Sequence, residues 1–495
     1  MPKHLHRFDA GFMKLTVAEA SRAKGATLVR CITREDRATV LPNIPEAEFS
    51  AKPNTLLHLR EEDVLYVGLG KQANIRAETF RAAAGTATIA LKKMGRTRLA
   101  LALEEWPEFV GPAVEGVELA DYRFDRFAPQ ANRLIETLQI QIHSGDASVA
   151  REAAQHALIV AEATNLARAI GNLPGNLLYP ETLAKECARM VAATSALNGS
   201  RSGVKGGRSI ELKLTVFDEK KLRVGGFGGL IAVGQGSRRG PRLIQIEHRG
   251  GARKDAPIVL VGKAITFDTG GISIKPAANM EEMIFDKCGG TAVLGAMAAI
   301  SRLQLKRNVI GLIASAENMP GSSAYRPGDI VTTYDGKHIE IVNTDAEGRV
   351  VLADAIAYAR RGCNAAAIID LATLTGACVV ALGETAAGLW SNNDPLRDRL
   401  LAASEGTAER VWPMPLYPEH DEQIKSDVAL IKNVGGRWGG ACTAAAFLKA
   451  FAEDTPWAHL DVAPVAAREK DRSDLARGAT GFGVRTLVKL IEDWS

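Results

Sequence analysis

The sequence predicts a two-domain α/β protein, with a small α/β N-terminal domain and a larger C-terminal domain whose mixed, largely parallel sheet is flanked by helices. Three observations predict it. The chain has 495 residues, beyond the roughly 250–300 at which one hydrophobic core stops growing. Strand-like apolar runs alternate with helix-like ones along its length, as they do where helices pack on a sheet. Several runs are apolar throughout, as strands covered on both faces must be.

In chain order, ATLVRCI, DVLYVGLG, RLALALE and LIETLQIQI read as strands of the first domain, and ANIRAETFRAAAGTATIALKKM as a helix. The amphipathic run VAREAAQHALIVAEATNLARAI predicts a long helix, stopped by the glycines and prolines of GNLPGNLLYP. We therefore place the N-terminal domain at 1–145, a connecting helix and linker at 146–175, and the second domain at 176–495. There LKLTVFD, GLIAVG, RLIQIEH, PIVLVG, VIGLIAS, EIVN, AAAIIDLA and AHLDVA read as short strands.

The composition, 46% hydrophobic and 24% charged, is that of a soluble globular protein. A net charge of +4 does not by itself indicate a nucleic-acid partner, and the cluster Arg238, Arg239, Arg242, Arg249, Arg253 and Lys254 fits a solvated rim better than a binding patch. The opening MPKHLHRFDAGFMKL lacks a signal-peptide core, and no uninterrupted apolar run is long enough for a membrane span; both predict a cytoplasmic protein. The six cysteines lie at least 15 residues apart without a CxxC pair, which argues for reduced thiols and against a cysteine zinc site.

Common enzyme motifs are missing. VGKAIT has Pro257 where a phosphate loop needs its first glycine, and GQGSRRG runs between two predicted strands, without the helix N-terminus a dinucleotide requires. There is no GxSxG elbow and no HExxH pair, so any metal must use other ligands.

What remains is two charged segments at predicted strand ends, where open α/β sheets bind ligands. NTDAEGR, 343–349, lies between the strand-like KHIEIVN and the helix-like VVLADAIAYARR. If extended, it projects Asp345, Glu347 and Arg349 to one side. VGKAITFDTGGISIKPAANMEEMIFDKCGG, 261–290, carries Lys263, Asp268, Lys275 and Asp286. Were the two to meet, four carboxylates would be crowded together. They would protonate, join an ion-pair network with the three cations, or hold two divalent ions. Carboxylates suit Mn, Mg or Zn, and Lys263 could join them only as a neutral amine.

These two segments, with NLPGN (172–176), DLATLTGA (370–377) and WAHLDVA (457–463), resemble the cytosolic leucine aminopeptidase family across essentially the whole catalytic half of the chain. The N-terminal third carries no motif that we match to it. The resemblance implies a catalytic domain at 176–495 holding two divalent ions, Mn or Zn. Asp268 and Glu347 would bridge them, Lys263 and Asp286 would complete one site, and Asp345 the other. It implies that Lys275 stabilises the developing oxyanion and that Arg349 holds a bicarbonate as proton acceptor. Met283 would line the pocket for the first side chain, and the loop of Thr373, Leu374 and Gly376 would bind substrate. Also implied are short peptides with a free N-terminus as substrates, a preference for leucine and other apolar residues, and a homohexamer. Some bacterial members also bind DNA in regulation or recombination, and a dimetal site could serve phosphoester hydrolysis; these are the competing expectations. Ala264, Thr269 and Val350 depart from the family's usual residues without removing a ligand.

Overall fold

A computed structural model of the chain describes residues 13–19, 24–127, 134–201, 210–472 and 475–494. Most of the N-terminal stretch read for a signal peptide, residues 1–12, lies outside them. The chain divides into two compact units, Met1–Asn165 with Arg468–Arg477, and Leu166–Ala467 with Gly478–Ser495. The division falls inside the helix Ala147–Gly171.

The first unit is built on strands β1 (Lys14–Glu19), β2 (Thr27–Thr33), β3 (Leu56–Leu59), β4 (Val64–Gly70), β5 (Arg98–Ala102) and β6 (Thr137–Ile142), in the order β1-β6-β5-β2-β4-β3. All neighbours are parallel except β3 and β4, which form a hairpin. Helices Ala77–Lys93 and Val110–Asp121 cross closely, because a Cβ on Gly116 would lie 2.1 Å from the Arg81 carbonyl oxygen. Phe80, Val114, Leu138 and Ile140 form part of the unit's buried core.

The second unit contains β7 (Leu212–Phe217), β8 (Arg242–Arg249), β9 (Ile258–Asp268), β10 (Asn308–Asn318), β11 (Ile330–Thr332), β12 (His338–Glu340), β13 (Ala367–Ala372), β14 (Ala387–Ser391), β15 (Val411–Pro413), β16 (Ile431–Lys432) and β17 (Trp457–Asp461). Its main sheet runs β15-β14-β17-β13-β9-β10-β8-β7. The central strands β17, β13, β9 and β10 are parallel, and antiparallel pairs flank them. The molecule is thus a two-domain α/β protein with a mixed, mostly parallel sheet in its larger part.

Strand β9 alternates between two helical layers. Gly262 and Ala264 meet the helix Cys288–Arg302 so tightly that a Cβ on Gly262 would lie 2.5 Å from the Cα of Gly290. Val259, Val261 and Ile265 pack in a core with Val350 and Val351 of the helix Glu347–Arg361. Near the end of the strand the pairing with β10 slips: Ala316 faces Ile265, but Asn318 faces Asp268. β9 therefore holds one residue more than β10 in this interval, a bulge. Lys263 and Asp268 are five apart and would face opposite ways in a regular strand; the extra residue brings both to the side of the Glu347–Arg361 helix.

Two strand expectations fail. GLIAVG is the helix Gly228–Gly234, so GQGSRRG follows a helix rather than a strand. A short apolar run cannot by its periodicity be told from a buried helix turn. Here Asp354 decides the matter, accepting the Leu230 amide at 2.8 Å near the helix start. In EIVN only Glu340 belongs to a strand, β12. The stretch Met280–Arg302 is long and apolar enough to cross a membrane, but 83% of its most apolar window is buried inside the protein, as a core helix is.

Candidate active site

Lys263 projects from β9 over Gly348, where a Cβ would come within 2.6 Å of its Cε. Its Nζ has three acceptors in reach: Asp286 Oδ1 at 2.7 Å, Glu347 Oε1 at 2.8 Å and the Thr373 carbonyl at 2.9 Å. Asp286 follows the 3-10 turn Met280–Phe285, and Thr373 follows β13. Thr373 also donates its hydroxyl to Asp286 Oδ1 at 2.7 Å. Asp268 closes β9; it accepts the Gly270 amide at 2.9 Å and the Lys275 ammonium, also at 2.9 Å. Lys275 reaches Asp345 as well. Residues from both charged segments thus converge.

The site is graded in depth. Lys263, Asp268, Asp286 and Glu347 are buried, whereas the side chains of Lys275 and Asp345 remain 20% and 31% exposed. The open end is therefore the Lys275 end. Burial raises the Asp286 carboxyl to about 6 and that of Glu347 to about 8, with neighbouring carboxylates adding to the effect against the pull of Lys263. Burial also raises Asp345. For Lys263 and Lys275 burial opposes the charge, but the surrounding carboxylates outweigh it and hold both ammonium groups above their ordinary value.

The segment 343–349 is not extended as the sequence reading supposed. Glu347 begins a helix, so Glu347 and Arg349 lie in its first turn. A carboxylate is favoured there by the helix dipole and a guanidinium is not. Arg349 is nevertheless buried, which lowers it to about 10, with Glu347 and Asp461 countering. Its Nη1 donates to the Asn433 carbonyl at 3.0 Å, while Nε is buried without a partner.

Met283 is half-buried, one turn before Asp286. Leu374 packs against the main core while its amide donates to Asp461 at 3.0 Å; Gly376 is exposed with open space around it. Thr375, in the same loop, donates its hydroxyl to Asp461 at 2.7 Å. The sequence reading missed Asn318, Tyr325 and Asn433. The only signal was a pair of polar residues, Glu317 and Asn318, ending the apolar strand β10.

The donor set fits divalent cations. Asp268, Asp286 and Glu347 each bring an oxygen within 4.8 Å of the others. Asp286 Oδ2 and Glu347 Oε2 are buried with no hydrogen-bond partner, which is costly unless a cation meets them. All six cysteines are free thiols, and four of them are buried. Within the basic cluster, Arg239 pairs with Glu317 at 2.9 Å and Arg249 with Glu247 at 2.8 Å, so its charge is partly spent inside the fold.

Residues 165–488 match the family model described as the cytosol aminopeptidase family, catalytic domain, and residues 40–129 match that family's N-terminal domain. The N-terminal third therefore carries a family signal that motif reading did not find. The chain is 44% identical over 440 residues to a probable cytosol aminopeptidase of Syntrophotalea carbinolica, covering 87% of this chain and 85% of the relative. It is 45% identical over 437 residues to one of Cenarchaeum symbiosum, covering 86% and 85%. Among solved structures it is similar to the bottromycin maturation enzyme BotP, with a TM-score of 0.81 and 33% identity over 94% of this chain and 99% of that one; BotP has also been solved in complex with Mn. A buried carboxylate cluster that calls for cations, in a chain matched over most of its length, leads to one conclusion: this protein belongs to the cytosol aminopeptidase family and is a metal-dependent aminopeptidase.

Proposed function

We propose that the enzyme removes leucine and other apolar residues from the free N-terminus of short peptides, using two divalent ions, Mn or Zn. The observation that carries this reading is the meeting of Lys263, Asp268, Asp286, Asp345 and Glu347 around carboxylate oxygens that have no other partner. In this reading Asp268, Glu347, Lys263, Asp286 and Asp345 would hold the two ions, with Asp268 and Glu347 shared between them, Lys263 and Asp286 serving one and Asp345 the other. Bound there, the ions would supply an activated water and a Lewis acid for the scissile carbonyl.

The chain's own groups do the rest. Lys275, at the open end, keeps its ammonium and would stabilise the oxyanion that develops from the carbonyl. Arg349, with its unpartnered Nε, would hold a small oxyanion such as bicarbonate to receive a proton. Met283 would border the pocket for the first side chain, with the Thr373, Leu374 and Gly376 loop beside it. We further propose a cytoplasmic homohexamer.

Hydrolysis of leucyl-p-nitroanilide should disappear on chelation and return with Mn or Zn, and aryl phosphate should not be turned over. A metal-replete protein inactive on every amino-acyl anilide would overturn the proposal. Equal turnover of Leu, Asp and Lys substrates would overturn the apolar preference alone.

A further inference from the structure

Asp268 ends β9, and its orientation depends on groups outside the five residues to which metal binding is assigned. Two donors hold its Oδ1: the amide of Gly270 at 2.9 Å and the side-chain Nδ2 of Asn318 at 2.8 Å. Asn318 is the last residue of β10, fully buried, and faces Asp268 because of the bulge in β9. The same Nδ2 donates to the Thr344 carbonyl at 3.0 Å, one residue before Asp345. The Asn318 carbonyl in turn accepts both the amide of Thr269, at 3.0 Å, and its hydroxyl, at 2.8 Å. One residue thus ties together the two segments that supply the carboxylates. Its Oδ1 has no hydrogen-bond partner, and Gly271, at φ +67, lies so close that a Cβ there would fall 2.7 Å from it. A buried amide that leaves one of its own polar atoms unpaired is aimed at what its other end holds.

We propose that Asn318 is a positioning residue, whose amide fixes the Asp268 carboxylate in the orientation that receives metal and keeps the Asp345 segment in register with it. This rests on the reading of Asp268 as a metal ligand. Outer-shell partners that orient ligands typically change metal affinity by about ten- to a hundredfold when removed. A purely structural role predicts less, because neither acceptor would be orphaned. Asp268 Oδ1 would keep the Gly270 amide, and the Thr344 carbonyl would keep the Tyr325 hydroxyl at 2.8 Å.

The test uses the full-length protein equilibrated against buffered free Mn, with bound metal measured by atomic emission. Asn318→Leu, close in volume and without donors, should need about ten- to a hundredfold more free Mn for half occupancy, with unchanged circular dichroism and elution volume. Asn318→Ala carries the same expectation should the leucine variant fail to fold. Tyr325→Phe removes only the other donor to Thr344 and should leave half occupancy where it was. Wild-type half occupancy in both Asn318 variants would overturn the proposal. If Asp286→Asn also bound Mn as the wild type does, the assigned metal site itself would be wrong, a separate failure from that of Asn318.

Discussion

Gly348 stands next to last in NTDAEGR because the Lys263 side chain fills the space a side chain would need. An added methyl group there would press on the far end of a flexible chain rather than on backbone, so the fold can yield but the ammonium cannot keep all three of its acceptors. Gly348→Ala should therefore lower kcat/KM by more than tenfold while the thermal midpoint moves by only a few degrees, a split read by pairing kinetics with a melting curve. The charged residues here could be read from the sequence because apolar surroundings make a run of carboxylates and lysines conspicuous. Asn318 and Asn433 could not, since a neutral amide looks the same in a turn as in a buried network. Only strand pairing shows what each one faces.

At the scale of elements, the seven-residue helix Gly228–Gly234 is too short to hold itself by propensity. Asp354, reaching from the middle of another helix, accepts the amides of Leu230 and Tyr334, both at 2.8 Å. Burial raises this carboxyl to about 7, against the pull of those amides. Asp354→Ala would leave buried amides without an acceptor, each costing about 1–3 kcal/mol. Its denaturation midpoint should fall by an amount equivalent to roughly 2–6 kcal/mol for the two amides, while the half-saturating metal concentration stays the same. A long-range cap of this kind is invisible in sequence, where GLIAVG reads as a strand. The long helices and the wholly apolar central strands were legible, because length and continuous apolarity have few other readings.

For the whole molecule, the alternation of elements was enough to predict two α/β parts. The order of strands and the return of residues 468–477 to the first unit were not, since they depend on pairings between distant segments. The groups to which we assign metal binding all come from the second unit, so bound metal should stabilise that unit specifically. Calorimetry of the native enzyme should show two transitions, of which chelation lowers only one and added Mn raises the same one. A single transition that moved as a whole would mean that the units unfold together.

The bulge in β9 sets a parity rule for anyone altering this enzyme. Point substitutions between Lys263 and Asp268 can change what the strand packs against, but they cannot change which way its last residue looks. A one-residue deletion that removed the bulge would leave Lys263 and the aspartate four apart in a regular strand and still on one side, whereas an added residue would turn the carboxylate into the opposite layer unless the bulge widened to absorb it. Homologues and designs aligned through this stretch should therefore tolerate exchanged residues, or loss of the bulged one, more readily than an added residue, and an insertion placed there by an alignment is better taken as a sign of misplaced pairing.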